Sequence, residues 1–280
     1  MDIEEAKDGS RVHLSRALTL IENGLRFESQ APGFVIGITG APGVGKSCLV
    51  DQLAREYASR GEKIAILAVD PSSPITGGAL LGDRLRMDSA DHEDLIYMRS
   101  VATRGEAGAV PGTVEDMSAF LRECGWQRII IETVGSGQAE IRIAAVADSI
   151  LLVEAPGMGD SIQSEKAGII ELVDIIAVNK SDLPGADATA TDIMNALSAG
   201  SMDIPVTLVS ANTGDGVCQL IEVLEKSTRR NMTRAKWRER LAGRWMKRMT
   251  NHSALEDILD SLESGNCSID EALSRLEESS

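Results

Sequence analysis

The sequence predicts an α/β fold, a mostly parallel central sheet flanked by helices, with a helix before it and a helical extension after it. Two observations carry this. Short continuous apolar runs alternate with amphipathic segments between residues 34 and 228, and such runs suit parallel strands covered on both faces. A glycine-rich turn, GAPGVGKS at 40–47, stands between the first apolar run and the first amphipathic segment, the strand–loop–helix context in which such a turn binds phosphate.

The elements follow in order. Residues 11–28 repeat Val12, Leu14, Ala17, Leu18, Ile21 and Leu25 at mostly helical spacing, and QAPG at 30–33 breaks the run. Strands are expected at 34–39, 63–70, 95–100, 128–132, 149–154, 174–179 and 205–210, and helices at 45–60, 113–123, 139–147 and from 216. Beyond 228 the alternation stops. Residues 233–250 place Trp237, Leu241, Trp245 and Met249 four apart on one helical face, and 252–279 form two short acidic amphipathic segments around Gly265. The chain divides into an N-terminal helical segment (1–30), a nucleotide domain (31–230) and a C-terminal extension (231–280). The extension either packs back on its own domain or serves as a dimerisation arm.

Composition narrows the function. Aromatic residues are only 3%, so the core is built from aliphatic side chains. A net charge of −15 opposes nucleic acid and anionic membranes. The basic cluster Arg229, Arg230, Arg234, Lys236, Arg238 and Arg240 reads as a helix face pairing with nearby acids. Four scattered cysteines fit reduced thiols, and three isolated histidines form no metal cluster. No apolar run is long enough to span a membrane, and the acidic start MDIEEAKD resembles no leader, so a cytoplasmic location is expected.

The segment Gly40-Ala41-Pro42-Gly43-Val44-Gly45-Lys46-Ser47 fits the phosphate-loop pattern at every fixed position, and Cys48 follows it. Glycines let successive N–H groups turn inward around a phosphate, and the next helix offers its positive end. Lys46 can reach the β and γ phosphates, and the Ser47 hydroxyl can coordinate Mg²⁺. Asn179-Lys180-Ser181-Asp182 stands at the end of a later strand. The Asp182 carboxylate there can accept both N1–H and N2–H of guanine, a donor pair that adenine lacks; Asn179 can bond the ring edge and Lys180 can cover its face. Ser210, Ala211 and Asn212 fit a second base-contacting loop. Together they point to GTP as substrate and GDP as product.

Acids fall where ligands bind in open α/β sheets, beyond the carboxyl ends of strands. Asp70 ends KIAILAVD, Glu132 ends RIIIE, and Asp83 lies in a loop. All three are candidates for holding Mg²⁺ and its waters, or for orienting the attacking water. Gly135, in Glu132-Thr133-Val134-Gly135, could sense the γ-phosphate, and Gln138 could position water.

With these motifs the chain resembles the methylmalonyl-CoA mutase-associated GTPases, chaperones of cobalamin-dependent acyl-CoA mutases. The resemblance spans roughly residues 11–228 and rests on GITGAPGVGKS, LAVDPSSPITGGALLGDRLRM, IIIETVGSGQAE, APGMGDSIQSEKAGIIELVDIIAVNKSD and VSANTGDG. It implies that Asp70, Asp83 and Glu132 surround Mg²⁺ and the γ-phosphate. It also implies a further switch at 159–166, containing Asp160, in which Gln163 and Lys166 communicate with the mutase. Homodimers formed through C-terminal helices, a slow GTPase stimulated by the partner, and gating of adenosylcobalamin delivery are implied as well. Other readings of the nucleotide site stand beside this one, and the intact Lys46, Ser47 and acidic cluster argue against a non-hydrolysing binding module. A GTP-dependent metallochaperone normally carries Cys and His ligands near its switches, whereas the histidines here are isolated. A P-loop small-molecule kinase would be expected to lack NKSD.

Overall fold

The computed structural model describes residues 3–7, 10–70, 94–102, 112–133, 142–157, 167–227, 233–250 and 252–278. Seven strands form one sheet: β1 (Phe34–Thr39), β2 (Ile64–Asp70), β3 (Ile96–Ala102), β4 (Arg128–Thr133), β5 (Ser149–Glu154), β6 (Ile175–Val178) and β7 (Val206–Leu208). Their order is β3-β2-β4-β1-β5-β6-β7, and every pairing is parallel. The chain winds to one side of β1 and then to the other, so β1 lies at the point where the winding reverses. Ligands of such sheets bind there, past the carboxyl ends.

The helices are α1 (Ile3–Lys7), α2 (Arg11–Glu22), α3 (Lys46–Ser59), α4 (Thr113–Glu123), α5 (Ala167–Ile170), α6 (Ala186–Ala199), α7 (Val217–Ser227), α8 (Arg234–Thr250), α9 (Leu255–Glu263) and α10 (Ile269–Glu278). Alternate residues of each strand feed two apolar layers. Val35, Leu67, Ile131 and Leu152 join Met117 and Phe120 of α4 and Ile193 of α6. Ile36, Ile66, Ile130 and Leu151 join Leu49, Leu53 and Tyr57 of α3 and Leu220 of α7. With both faces covered, the inner strands are largely apolar, which is why they read as continuous runs. Each fully buried Ile or Leu contributes roughly 1.5–3 kcal/mol.

Two expectations are corrected. The helix expected over residues 11–28 is α2 and ends at Glu22: Asn23 caps it and Gly24 turns the chain at φ 104°. Of the helix expected at 139–147, residues 139–141 lie outside the described residues, Arg142 is helical, and Ile143–Ala145 tighten into a 3₁₀ turn. This turn packs closely on β1: a Cβ on Gly37 would lie 2.6 Å from Ile143 Cδ1 and 3.0 Å from the Ala147 Cβ.

The extension docks by its basic face. Lys236 of α8, 4% exposed, pairs with Asp174, which also accepts the Ile150 N–H. Arg240 donates to the Ala147 carbonyl and to Asp148, whose carboxylate accepts the Val35 N–H. Lys247 donates to Asp116 at 2.6 Å and Glu115 at 3.0 Å. The apolar stripe faces outward: Trp237 is 52% exposed, Leu241 68% and Trp245 49%. Among the described residues no helix is long and apolar enough to cross a membrane.

Candidate functional site

The phosphate loop leaves β1 at Gly40 and enters α3 through Gly45. Two of its glycines are sterically required. Gly40 adopts φ 145° beside β5, where a Cβ would stand 2.2 Å from the Val153 carbonyl oxygen. Gly45 adopts φ 91°, and a Cβ there would meet Asn179 Nδ2 at 2.5 Å. Pro42 and Gly43 are exposed, Val44 is buried beneath the loop, and Cys48 is exposed in the first turn of α3. Lys46 is 7% exposed, and its ammonium donates to the carbonyls of Gly40 at 2.8 Å and Ala41 at 3.1 Å, folding it back over the loop.

Beside the loop, Ser47 Oγ donates to Glu132 Oε1 at 2.6 Å. Glu132 is 6% exposed at the end of β4, next to β1. These two hard oxygen donors, one from the loop and one from a strand end, fit the chemistry that Mg²⁺ requires. The backbone of Asp70 ends β2 one step past the register pair Val69–Thr133, in the same direction. Among the described residues no group of three His, Cys, Asp or Glu side chains could hold a metal by itself. Asp83, Gly135, Gln138, Asp160, Gln163 and Lys166 lie outside the described residues, as does the side chain of Asp70.

The second half of the site follows β6 and β7. Asn179 is 1% exposed, and its carboxamide bridges two loops: Nδ2 donates to the Val44 carbonyl at 2.8 Å, and Oδ1 accepts the Ala211 N–H at 2.9 Å. Lys180 adopts φ 59°, an uncommon conformation for a residue with a Cβ. Its ammonium donates to the Gly43 carbonyl at 2.8 Å, spanning the mouth of the phosphate loop. Asp182 is exposed and accepts the Ser210 hydroxyl at 2.6 Å on Oδ1. Ser210 is fully buried and its hydroxyl also accepts the Thr213 N–H, while Asn212 is exposed. Gln52 of α3 was not foreseen from sequence. It donates to the Ala211 carbonyl at 3.1 Å, and nothing in a glutamine midway along an amphipathic helix signals that contact.

Strand, glycine-rich loop, lysine-serine helix start and an aspartate-bearing strand end thus meet in one place. They define a P-loop nucleotide-binding protein. A sequence profile described as methylmalonyl-CoA mutase-associated GTPase MeaB matches residues 8–264. The chain belongs to this GTPase family. A Pyrococcus abyssi protein is 41% identical over 208 residues, covering 71% of this chain; the chain spans 64% of that protein's length. The mouse protein named methylmalonic aciduria type A homolog, mitochondrial, is 32% identical over 226 residues, covering 78% of this chain and 54% of its own. A crystal structure of a LAO/AO transport system kinase superposes with a TM-score of 0.65, covering 99% of this chain and 95% of its own. At 20% identity, that is a likeness of fold.

Proposed function

We propose that this chain hydrolyses GTP to GDP with Mg²⁺ and uses the cycle as a switch acting on a cobalamin-dependent acyl-CoA mutase. The observation that carries the guanine reading is the placement of Asp182: an exposed carboxylate, steadied by Ser210, on a segment that Asn179 and Lys180 tie to the phosphate loop. The mutase reading is supported by the family's description and by the sequence resemblance.

In this reading the amides of Gly43, Gly45 and Lys46 cradle the phosphates. The Lys46 ammonium leaves its carbonyl partners for the β and γ phosphates and neutralises charge that develops as the γ-phosphoryl passes to water. Ser47 and Glu132 would hold Mg²⁺, with Asp70 and Asp83 as further oxygen donors; the ion supplies positive charge at the phosphate oxygens. Gly135 and Gln138 respond to the γ-phosphate, and Asp160, Gln163 and Lys166 carry the signal to the mutase. Ala211 and Asn212 line the base. A homodimer forms through the outward stripe of Trp237, Leu241 and Trp245, whose exposure on one helix calls for a covering surface.

Phosphate release from GTP tests the enzyme. Lys46→Ala should abolish turnover, and unchanged turnover would sink the assignment. Asp182→Asn should narrow the preference for GTP over xanthosine triphosphate; an unchanged ratio would count against the base assignment. For the partner, affinity capture from the native host with a non-hydrolysable GTP analogue should recover a cobalamin-dependent mutase, and recovery of none overturns that part.

A further inference from the structure

We infer that Gln52 is a positioning residue that sets how tightly the guanine base is held, an inference that rests on the guanine reading above. The peptide linkages around Ala211 are gripped from two sides. Asn179 Oδ1 takes the Ala211 N–H at 2.9 Å, and Gln52 Nε2 gives a hydrogen bond to the Ala211 carbonyl at 3.1 Å. Asn179 is itself bound to the Val44 carbonyl at 2.8 Å, and Val44 leads through Gly45 into α3, which carries Gln52. The result is a closed ring: phosphate loop, Asn179, Ala211, Gln52 and back along one helix. The same helix bears Lys46 and Ser47 at its start, so the phosphate end and the base end of the site share a rigid support.

The rest of the 210–216 loop is closed mostly on itself. The Ser210 N–H donates to the Asp215 carbonyl at 2.9 Å, and the Gly214 N–H donates to the Ser210 carbonyl at 2.8 Å. These bonds fix the loop's internal shape without fixing its distance from the phosphate loop. Besides the Ser210–Asp182 bond and the packing of α7 on α3, the loop is tied across this gap by Asn179 on one side and by Gln52 on the other. A carboxamide suits the second task because it donates to a carbonyl without bringing charge beside the base.

The test is release of a fluorescent GDP, followed by stopped flow, together with steady-state GTP hydrolysis. Gln52→Ala should release GDP about tenfold faster and raise KM in proportion, as expected for one lost hydrogen bond at a binding loop. Turnover at saturating GTP should stay within about twofold, because α3 still presents Lys46 and Ser47. Gln52→Glu keeps the shape but replaces the donor with a charged acceptor facing a carbonyl, and should release GDP at least as fast. A variant that releases GDP at the wild-type rate, or that loses turnover with KM unchanged, overturns the inference. A wild-type chain that binds no GDP would instead remove the guanine reading beneath it.

Discussion

Ser47 Oγ and Glu132 Oε1 lie 2.6 Å apart, joining the first turn of the phosphate helix to the end of the strand beside it. Glu132→Gln can keep that hydrogen bond while removing the charge. It should therefore fold normally, yet require far more Mg²⁺ and turn over GTP on the order of 10²-fold more slowly. Phosphate release across a Mg²⁺ titration measures this; an unchanged Mg²⁺ requirement would separate Glu132 from the metal.

Asp116 ties three parts of the chain together. It is 1% exposed in α4, and it pairs with Lys247 of α8 and, at 3.3 Å, with Arg26. Burial alone would lower the Lys247 pKa, but its hydrogen bonds to Asp116 and Glu115 outweigh this and raise it. A raised lysine contributes fully below its unfolded pKa, near ~10.4, and its contribution fades as pH rises through the folded value. Asp116→Ala should cost about 2 kcal/mol at pH 7, because it removes a charged hydrogen bond from a half-buried ammonium and leaves Glu115 to balance it. Urea unfolding measures the loss, and a change below about 0.5 kcal/mol would refute the hub.

Tyr57 is wholly buried, and its hydroxyl has no hydrogen-bond partner among the described residues. Burial pushes its phenol up to about 12, against the opposing charge of Arg128, whose guanidinium lies 5.1 Å from the ring centre. The unfolded phenol ionises near ~10, so the fold loses stability as pH climbs from there toward the folded value. Tyr57→Phe should be neutral or stabilising by up to about 1 kcal/mol at pH 7, and should flatten the alkaline decline. Denaturation midpoints at neutral and alkaline pH decide it; a clear loss at pH 7 would reveal a partner for the hydroxyl.

Thiol chemistry reads out the site. Cys48 and Cys218 are exposed, Cys267 is half-buried, and Cys124 is buried, with burial as the main cause lifting its thiol to about 11. At mild alkaline pH an alkylating reagent should modify Cys48 and Cys218 first and Cys124 only on unfolding. GDP should slow modification of Cys48 alone, since that residue follows Ser47. Peptide mass spectrometry follows each thiol, and equal protection of Cys218 would point to a global effect.

The strands were legible because two covering layers make them apolar on both faces. GAPGVGKS and NKSD were legible because their chemistry tolerates few substitutes. What the sequence left open was geometry between distant segments. The Ile143, Ala144 and Ala147 pattern suits a helix and does not announce that Ile143–Ala145 tighten into a 3₁₀ turn packed against Gly37. The stripe of α8 looked as ready to dock inward as outward. The choice is made by Asp116, Asp148 and Asp174, acids scattered through the chain that gather on one side and claim the basic face instead. That the carboxamide of Asn179 also ties Val44 to Ala211, partners on separate loops, is a contact that no motif announces.

The docking of α8 bears on where the chain can be cut. The motifs end before residue 228, which invites a shorter nucleotide-binding fragment. Such a fragment would forfeit Lys247, Arg240 and Lys236, the partners that α8 gives to Asp116, Asp148 and Asp174, and would leave Asp116 with Arg26. Two of those carboxylates also hold the amides of Val35 and Ile150, at the starts of β1 and β5. Truncation would place uncompensated negative charge at the foot of the sheet in a molecule already strongly anionic. The seam visible in the sequence is not a seam in the electrostatics.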